Sequence, residues 1–386
     1  MVKFSHLGDC HLGSWRQPEL QQLNLESFRF AIDHSIKEGV DFILIAGDLF
    51  DSAYPPIEIL KETFKEFRKL FQAKIPCYLI AGSHDFSASG KTFLDVLENS
   101  GFCKNVSRFE ERENQIILQP TLEKNVAIYG YPGKKSGLEI EDLKKIKLNE
   151  TPGFYKILML HTTISSAVGT LPIESISEES LPKANYYALG HLHIDFNENN
   201  FVYSGPIFPN NFQELEDLQE GSFYIVNTDI NMIKRIPLKL KDVKVFDIEI
   251  NDALMGTQKI LSELDKTNIA NKIILLRVSG NLKVGKHSDI NFAEIERFAK
   301  SKNVFSFLRN TTQLLKEEQV IEIHSENMEN IEEEIISKYQ NDKKTNFDPL
   351  SKNLISALSI DKHEDEKSAS FEERLIGEVK KIFDIK

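Results

Sequence analysis

The sequence predicts an α/β fold for the first half of the chain, and three observations predict it. Short apolar runs alternate with longer stretches of helical periodicity. Those runs empty into Gly, Asp and His residues, which are the residue types that gather at the carboxyl ends of strands in an open sheet. The chain has 386 residues, 41% of them hydrophobic, which is enough to bury more than one core.

Taken in order, VKFSHLG is a strand, Leu23 to Glu38 a helix, FILIAG a strand, Ile57 to Phe71 a helix and CYLIAG a strand. In the second helix Ile57, Leu60, Phe64, Phe67 and Phe71 recur at intervals of three and four, so they are expected to form one core-facing stripe. Past residue 100 the runs IILQP, NVAIYGYPG, YKILMLH, YYALGHLH, FVYSG and SFYIVN are separated by turn residues, with fewer helices, and predict a mixed sheet or a sandwich. Lysine-rich KRIPLKLKDVK closes this region near residue 240. Beyond it a small α+β unit is expected over 241–325: strand VFDIEI, helix Ala253 to Leu264, strand KIILLRVSG, helix Phe292 to Ala299 and strand NVFSFLR. From 326 to 386 the chain is charged and broken, with amphipathic segments at Ile331 to Tyr339, Leu350 to Ile360 and Phe371 to Ile385. Such a tail buries little alone, so it either docks on something or stays solvated.

Lys and Arg number 47 against 59 Asp and Glu, a net charge of -12, so any nucleic-acid contact must come from local basic patches. The three cysteines Cys10, Cys77 and Cys103 lack zinc-type spacing and suit a reducing, cytoplasmic setting. MVKFSHLGD does not read as a signal peptide, and no run reaches the ~18 apolar residues of a membrane span, so a soluble protein is expected.

The chemistry lies where the runs end. GDCH supplies Asp9 and His11, GDLFD supplies Asp48, GSHD supplies Ser83 and His84, LMLH supplies His161, and GHLH supplies His191 and His193. Any one of these is ordinary turn chemistry or a hydrogen-bonded histidine. Together, carboxylates and imidazoles gathered in an apolar interior carry a desolvation cost that a cation offsets. By strand alternation Asp9 and His11 share a face, as do His191 and His193, while Cys10 points into the core. So many N and O ligands exceed one open site and suit two ions about 4 Å apart with a bridging carboxylate, hence hydrolysis of a phosphate ester. The mixed ligand set favours manganese, iron or zinc over magnesium. His84 followed by Asp85 suits general acid work with Asp85 orienting the ring; alternatively Asp85 caps the helix near Thr92 to Leu97 or stabilises the turn. Gly82 is expected to permit a tight turn.

The ordered set D-x-H, GD-x-x-D, G-x-H-D, a lone His and GH-x-H resembles the calcineurin-like metallophosphoesterases. LGDCHLG, FILIAGDLFDSAYPP and ALGHLH are similar to the meiotic-recombination-eleven and SbcD nucleases of double-strand-break repair, over roughly residues 1–240. The resemblance implies a four-layer αββα sandwich with a small cap and a helical C-terminal tail, so that 1–240 is a nuclease domain, 241–325 a DNA-positioning cap and 326–386 the tail. It implies two manganese ions (Mn2+), one held by Asp9, His11 and His193, the other by His161, His191 and the residue at 83, with Asp48 bridging. His84 would stand outside the metal shell and face the scissile phosphate or the leaving oxygen. It further implies 3'-5' exonuclease and single-strand endonuclease activity, an SMC-like Rad-fifty ATPase partner gripping the tail, a homodimer and a nucleoid-associated place in the cytoplasm. Lys239, Lys241, Lys244, Lys283 and Lys286 become candidate phosphate contacts, or are ordinary solvated lysines. The family usually has Asn where this chain has Ser83, whose shorter reach implies a weaker second site or a bridging water. A phosphodiesterase or phosphatase acting on small esters or phosphoproteins is the rival reading, since fold does not fix substrate, and a scaffold with a decayed site is a third.

Overall fold

The computed structural model describes residues 2–86, 92–316, 351–358, 360 and 368–383. They fall in two compact units, Met1–Lys316 and Glu317–Lys386.

The first unit begins with strand β1 (Lys3–Leu7), helix α1 (Pro18–Lys37), strand β2 (Phe42–Ala46), helix α2 (Ile57–Ala73), strand β3 (Cys77–Ile80) and helix α3 (Phe93–Asn99). Helix α1 starts five residues before the expected Leu23, because Pro18 supplies a helical φ where no amide donor is needed. β1, β2 and β3 run parallel in a six-stranded sheet, with Gly221–Asn227 antiparallel on the other side of β1. A second six-stranded sheet has Val126–Tyr131, Tyr155–His161, Tyr186–Gly190 and Phe201–Ser204 parallel at its centre.

The continuous apolar runs follow from burial on both faces. In β2, Phe42 and Leu44 pack between the two sheets against Ile128, Met159 and Ala188, while Ile43 and Ile45 pack outward against Phe28, Phe67 and Leu70 of the helices. The outer face of the second sheet is covered by the short helix Glu139–Leu143 and the small sheet that contains Gln115–Leu118. This is an α/β sandwich of two sheets between outer layers.

The stripe expected on α2 is rotated. Ile57 and Phe71 are 77% and 62% exposed, and the buried face is Ile59, Thr63, Glu66, Phe67 and Leu70. A glutamate can lie there because Arg29 Nε donates to it at 3.1 Å and Lys69 pairs with it at 2.6 Å.

After residue 240 come three parallel strands, Val243–Glu249, Ile273–Leu282 and Ser306–Lys316, with helices Ala253–Asp265 and Phe292–Ser301 between them, as expected. The expected end at 325 lies outside the described residues. In the second unit, helices Ser351–Leu358 and Ser368–Ile382 answer two of the three amphipathic segments; Ile331 to Tyr339 lies outside the described residues.

Candidate metal centre

The ends of β1 and β2 are zipped side by side: Asp9 N donates to Gly47 O at 3.2 Å, His11 N to Asp48 O at 2.9 Å and Leu12 N to Leu49 O at 3.0 Å. Strand alternation does not place Asp9 and His11, because β1 stops at Leu7. Both adopt left-handed backbone, φ 49° and 41°, as do Asp48 at 49° and His191 at 97°. For residues with a side chain such conformations cost roughly 1–3 kcal/mol each and persist where surrounding structure holds them. Gly82 serves space and not turn geometry, since a Cβ there would lie 2.3 Å from Asp48 Oδ1. Gly47 at φ 88° serves both, its Cβ meeting His161 Nδ1 at 2.2 Å.

The backbone holds the carboxylates. His191 N donates to both oxygens of Asp9, at 2.9 and 3.1 Å, and His84 N donates to Asp48 Oδ1 at 2.7 Å. Asp48 Oδ2 is left facing imidazoles on two sides, His161 Nε2 at 3.0 Å and His11 Nε2 at 3.6 Å. His11 Nε2 in turn lies 3.1 Å from His193 Nε2.

Each ring is oriented from its far nitrogen. His161 Nδ1 donates to Ala46 O at 3.0 Å, His11 Nδ1 to Asp51 Oδ1 at 3.2 Å and His193 Nδ1 to Glu214 Oε1 at 2.9 Å. In the neutral rings the three Nε2 atoms therefore carry lone pairs, pointed at one another or at Asp48. Among the described residues His161 Nε2 is buried with no aligned hydrogen-bond partner, though Asp48 Oδ2 lies 3.0 Å away. Lone pairs facing a carboxylate at 3 Å require positive charge, either protons or a metal ion. Burial pushes His161 down, but Asp48 and Asp9 raise it to about 10; burial likewise opposes His193, which Glu214 and Asp9 raise to about 8. Burial alone would raise Asp48, yet His161, His11 and the His84 amide hold it well below the usual carboxylate range. The donor set and its orientation thus fit a divalent metal of borderline softness.

Ligand atoms lie within 4.8 Å of one another in three groups: Asp9 with His11 and His193, Asp9 with Asp48 and His161, and His11 with Asp48 and His84. His191 is in none of them; its ring stands edge-on to His161, centroids 5.2 Å apart, and burial with the His161 charge lowers its pKa. Ser83 Oγ donates to Asp48 Oδ2 at 3.4 Å. His84 is exposed, edge-on to His11 at 4.7 Å, with Nδ1 donating to Asp51 O at 2.8 Å. Asp85 does not orient that ring. It is buried and accepts from Leu49 N, Phe50 N and Gly82 N at 3.0–3.2 Å, which is the turn-stabilising alternative. The helix cap is Thr92, which accepts from Leu94 N and Asp95 N. Cys10 is buried in the core, as expected.

Two supports were missed by sequence reasoning. Asp51 was visible as the last residue of GD-x-x-D but had no role without the fold. Glu214 had no local signal, sitting on helix Phe212–Leu218 well after His193. Among the candidate phosphate contacts, Lys239 pairs with Asp242 at 3.1 Å, Lys241 donates to Asn271 and stands over the Phe305 ring, and Lys283 and Lys286 are exposed.

Against known proteins, the calcineurin-like phosphoesterase family matches residues 2–195. The chain is 26% identical over 309 residues to the DNA double-strand break repair protein Mre11 of Methanocaldococcus jannaschii, covering 77% of each chain. To the Mre11 protein of Sulfolobus acidocaldarius it is 27% identical over 82% of this chain and 85% of that one. To the uncharacterized metallophosphoesterase YhaO of Bacillus subtilis it is 28% identical over 60% and 59%.

Proposed function

The chain belongs to the calcineurin-like phosphoesterase family, as a phosphodiester-hydrolysing enzyme of the Mre11/SbcD type, and on that premise we propose that it is a manganese-dependent nuclease acting on DNA ends and single strands. The observation that carries the metal part is the set of oriented imidazole nitrogens and carboxylates facing one buried space. Asp9, His11 and His193 would hold one ion and His161 the other, with Asp48 set between the two groups and with His191 and, directly or through water, the residue at 83 as the remaining donors. Two such ions, when bound, supply an activated water and neutralise charge on the phosphoryl group.

The chain's own residues do the rest. The His84 and His191 amides hold the Asp48 and Asp9 carboxylates in place. His84 donates from Nδ1 to Asp51 O, which leaves Nε2 to face a substrate; in the imidazolium form the ring passes its Nε2 proton to the leaving oxygen and takes up another from solvent. A cleft of about 390 Å³ lined by Asp51, Ser52, Ser83, His84, Phe86 and Lys135 adjoins it, with room for part of a nucleotide and a cation for its phosphate. A homodimer through the first helices is supported by the exposed Phe30, Ile57 and Phe71. Capture of an SMC-like ATPase by the tail is supported by Leu358 and Ile376, each more than half exposed on its helix.

A small-ester phosphodiesterase is the second reading, favoured by the net charge of -12. Linear duplex DNA, a cyclic nucleotide and a nitrophenyl phosphate ester, each with manganese, separate the two. Degradation of the DNA is expected; turnover of the small esters with the DNA left intact would overturn the nuclease.

A further inference from the structure

Helix Phe212–Leu218 makes polar contacts in two directions. Toward the centre, Glu214 Oε1 accepts from His193 Nδ1 at 2.9 Å and from Asn211 Nδ2 at 2.6 Å, while Oε2 accepts from Asn210 N at 2.8 Å. Away from it, Arg277 of strand Ile273–Leu282 grips the same helix. Arg277 Nη2 donates to Gln213 Oε1 at 2.9 Å and to Glu216 Oε2, Nε donates to Glu216 Oε1 at 3.3 Å, and the guanidinium lies 5.4 Å from the Phe212 ring. The pair is partly sheltered, Arg277 and Glu216 being 13% and 19% exposed. Beneath it Leu215 packs with Ile273, Leu275 and Leu308 of the three-stranded unit and with Trp15 and Phe208.

A seven-residue helix, about two turns long, has little rigidity of its own, so its position is set by what holds it. Here the holders are a planar, forked guanidinium from the three-stranded unit and an apolar seam from the same strands. His193 gets its orientation from a carboxylate on that helix. We propose that Arg277 is a positioning residue for His193, acting through helix Phe212–Leu218 and Glu214, so that the three-stranded unit sets the affinity of the ion held by Asp9, His11 and His193. This rests on the metal reading of the site. It makes that unit a determinant of metal loading in addition to any contact it makes with substrate.

The test is manganese titration of the full chain, with free ion followed by electron paramagnetic resonance, so that two classes of site are resolved without any activity measurement. If the native chain binds no manganese, the metal reading fails and the inference falls with it. If it binds, Glu214→Ala should weaken one of the two sites by roughly 10–100-fold, the usual effect of removing a partner that orients a ligand. Arg277→Ala should weaken the same site by about 3–10-fold, within the range of coupling through packed elements, and leave the other unchanged. Arg277→Lys, which keeps the charge without the fork, should recover part of the loss. The Glu214→Ala/Arg277→Ala double variant should bind no more weakly than Glu214→Ala alone, because the arginine has no other route to His193. Lys302→Ala, which removes the Lys302 to Asp265 contact in the same unit away from the helix, should match the native chain. Native affinity in Arg277→Ala, or a loss that adds fully to that of Glu214→Ala, would overturn the proposal. Should Arg277→Ala fail to fold, Glu216→Gln weakens the other end of the same contact and is read in the same cycle.

Discussion

His161 Nε2 stands 3.0 Å from Asp48 Oδ2, buried and without an aligned hydrogen-bond partner among the described residues, while its Nδ1 is committed to Ala46 O. With the metal-free ring raised to about 10 and His193 to about 8, both carry protons at neutral pH. A ligand nitrogen must give up its proton to bind, so uptake is expected to release protons and affinity to rise with pH through the neutral range. The sign follows because acid favours the protonated, unliganded rings. Proton release on adding manganese to the metal-free protein in weak buffer at pH 7 measures this; an unchanged pH at saturating ion would refute it.

His84 touches the site without being tied into it, exposed and held only at Nδ1 by Asp51 O among its described hydrogen-bonding ring contacts. His84→Ala is expected to keep both ions and to lower turnover on DNA by about 10²-fold or more, the range of positioned acid catalysis. Metal content and turnover measured on one preparation decide it. Loss of an ion in this variant would make His84 a ligand.

How much of this was legible depended on whether a residue's surroundings lie near it in sequence. Asp9, His11, Asp48, His161 and His193 follow apolar runs directly, and the parallel sheet order brings such ends together, so their convergence could be read before the fold was known. Their supports could not. Glu214 reaches His193 from a different element, and Asp85 spends its carboxylate on amides of a neighbouring strand's loop, not on the adjacent His84. The α2 stripe misled for a related reason: helical spacing shows that a face exists, but it could not show that Arg29 of α1 would pair with a buried Glu66 while Phe71 stays exposed. Strand alternation put Asp9 and His11 on one side for the wrong reason, since left-handed turns do the aiming.

The tail should be separable from the chemistry. It forms its own compact unit, and every site residue lies in Met1–Lys316. Removing residues 327–386 is expected to abolish capture of the SMC-like ATPase and to leave DNA cleavage by the free protein within about twofold, because no residue of the candidate site is removed. Co-purification and a cleavage assay on the truncated chain test both halves. Partner binding at native affinity would contradict the role given to the tail.

His6 supplies a test of the fold by pH. It is fully buried between the sheets, with Nδ1 2.9 Å from Tyr186 Oη, and burial lowers it to about 3 against a weaker opposing contact with the Leu189 backbone. Its folded pKa lies below the ordinary value of 6.5, so the unfolded chain binds the extra proton. Stability from this group is therefore complete above about pH 6.5 and is lost as pH falls toward 3. His6→Gln, which keeps a polar partner for Tyr186, should unfold at a midpoint less dependent on pH between 6 and 4 than the native chain, whatever its stability at pH 7. Urea midpoints across that interval measure the slope, and equal slopes would show that His6 is not the group responsible.

Ser83 stands where the family resemblance leads one to expect asparagine. Its hydroxyl donates to Asp48 Oδ2 at 3.4 Å, a long contact, and Gly82 beside it is wedged against Asp48 with no room for a Cβ. The loop is thus held close to the carboxylate already, and further inward movement is blocked by the backbone of Asp48. A serine oxygen lies one bond nearer its backbone than an asparagine amide oxygen, so an ion beyond Asp48 would be reached through water and held less firmly. The native chain should accordingly need more manganese for half-maximal DNA cleavage than Ser83→Asn, by roughly 3–10-fold if one ligand is worth about 1 kcal/mol. Ser83→Ala should change the requirement only about twofold, since it gives up one long hydrogen bond of small net value. A manganese titration of the three proteins on one substrate distinguishes the cases. Abolished activity in Ser83→Ala together with no gain in Ser83→Asn would mean that the serine oxygen binds the ion directly and that the loop is built around it.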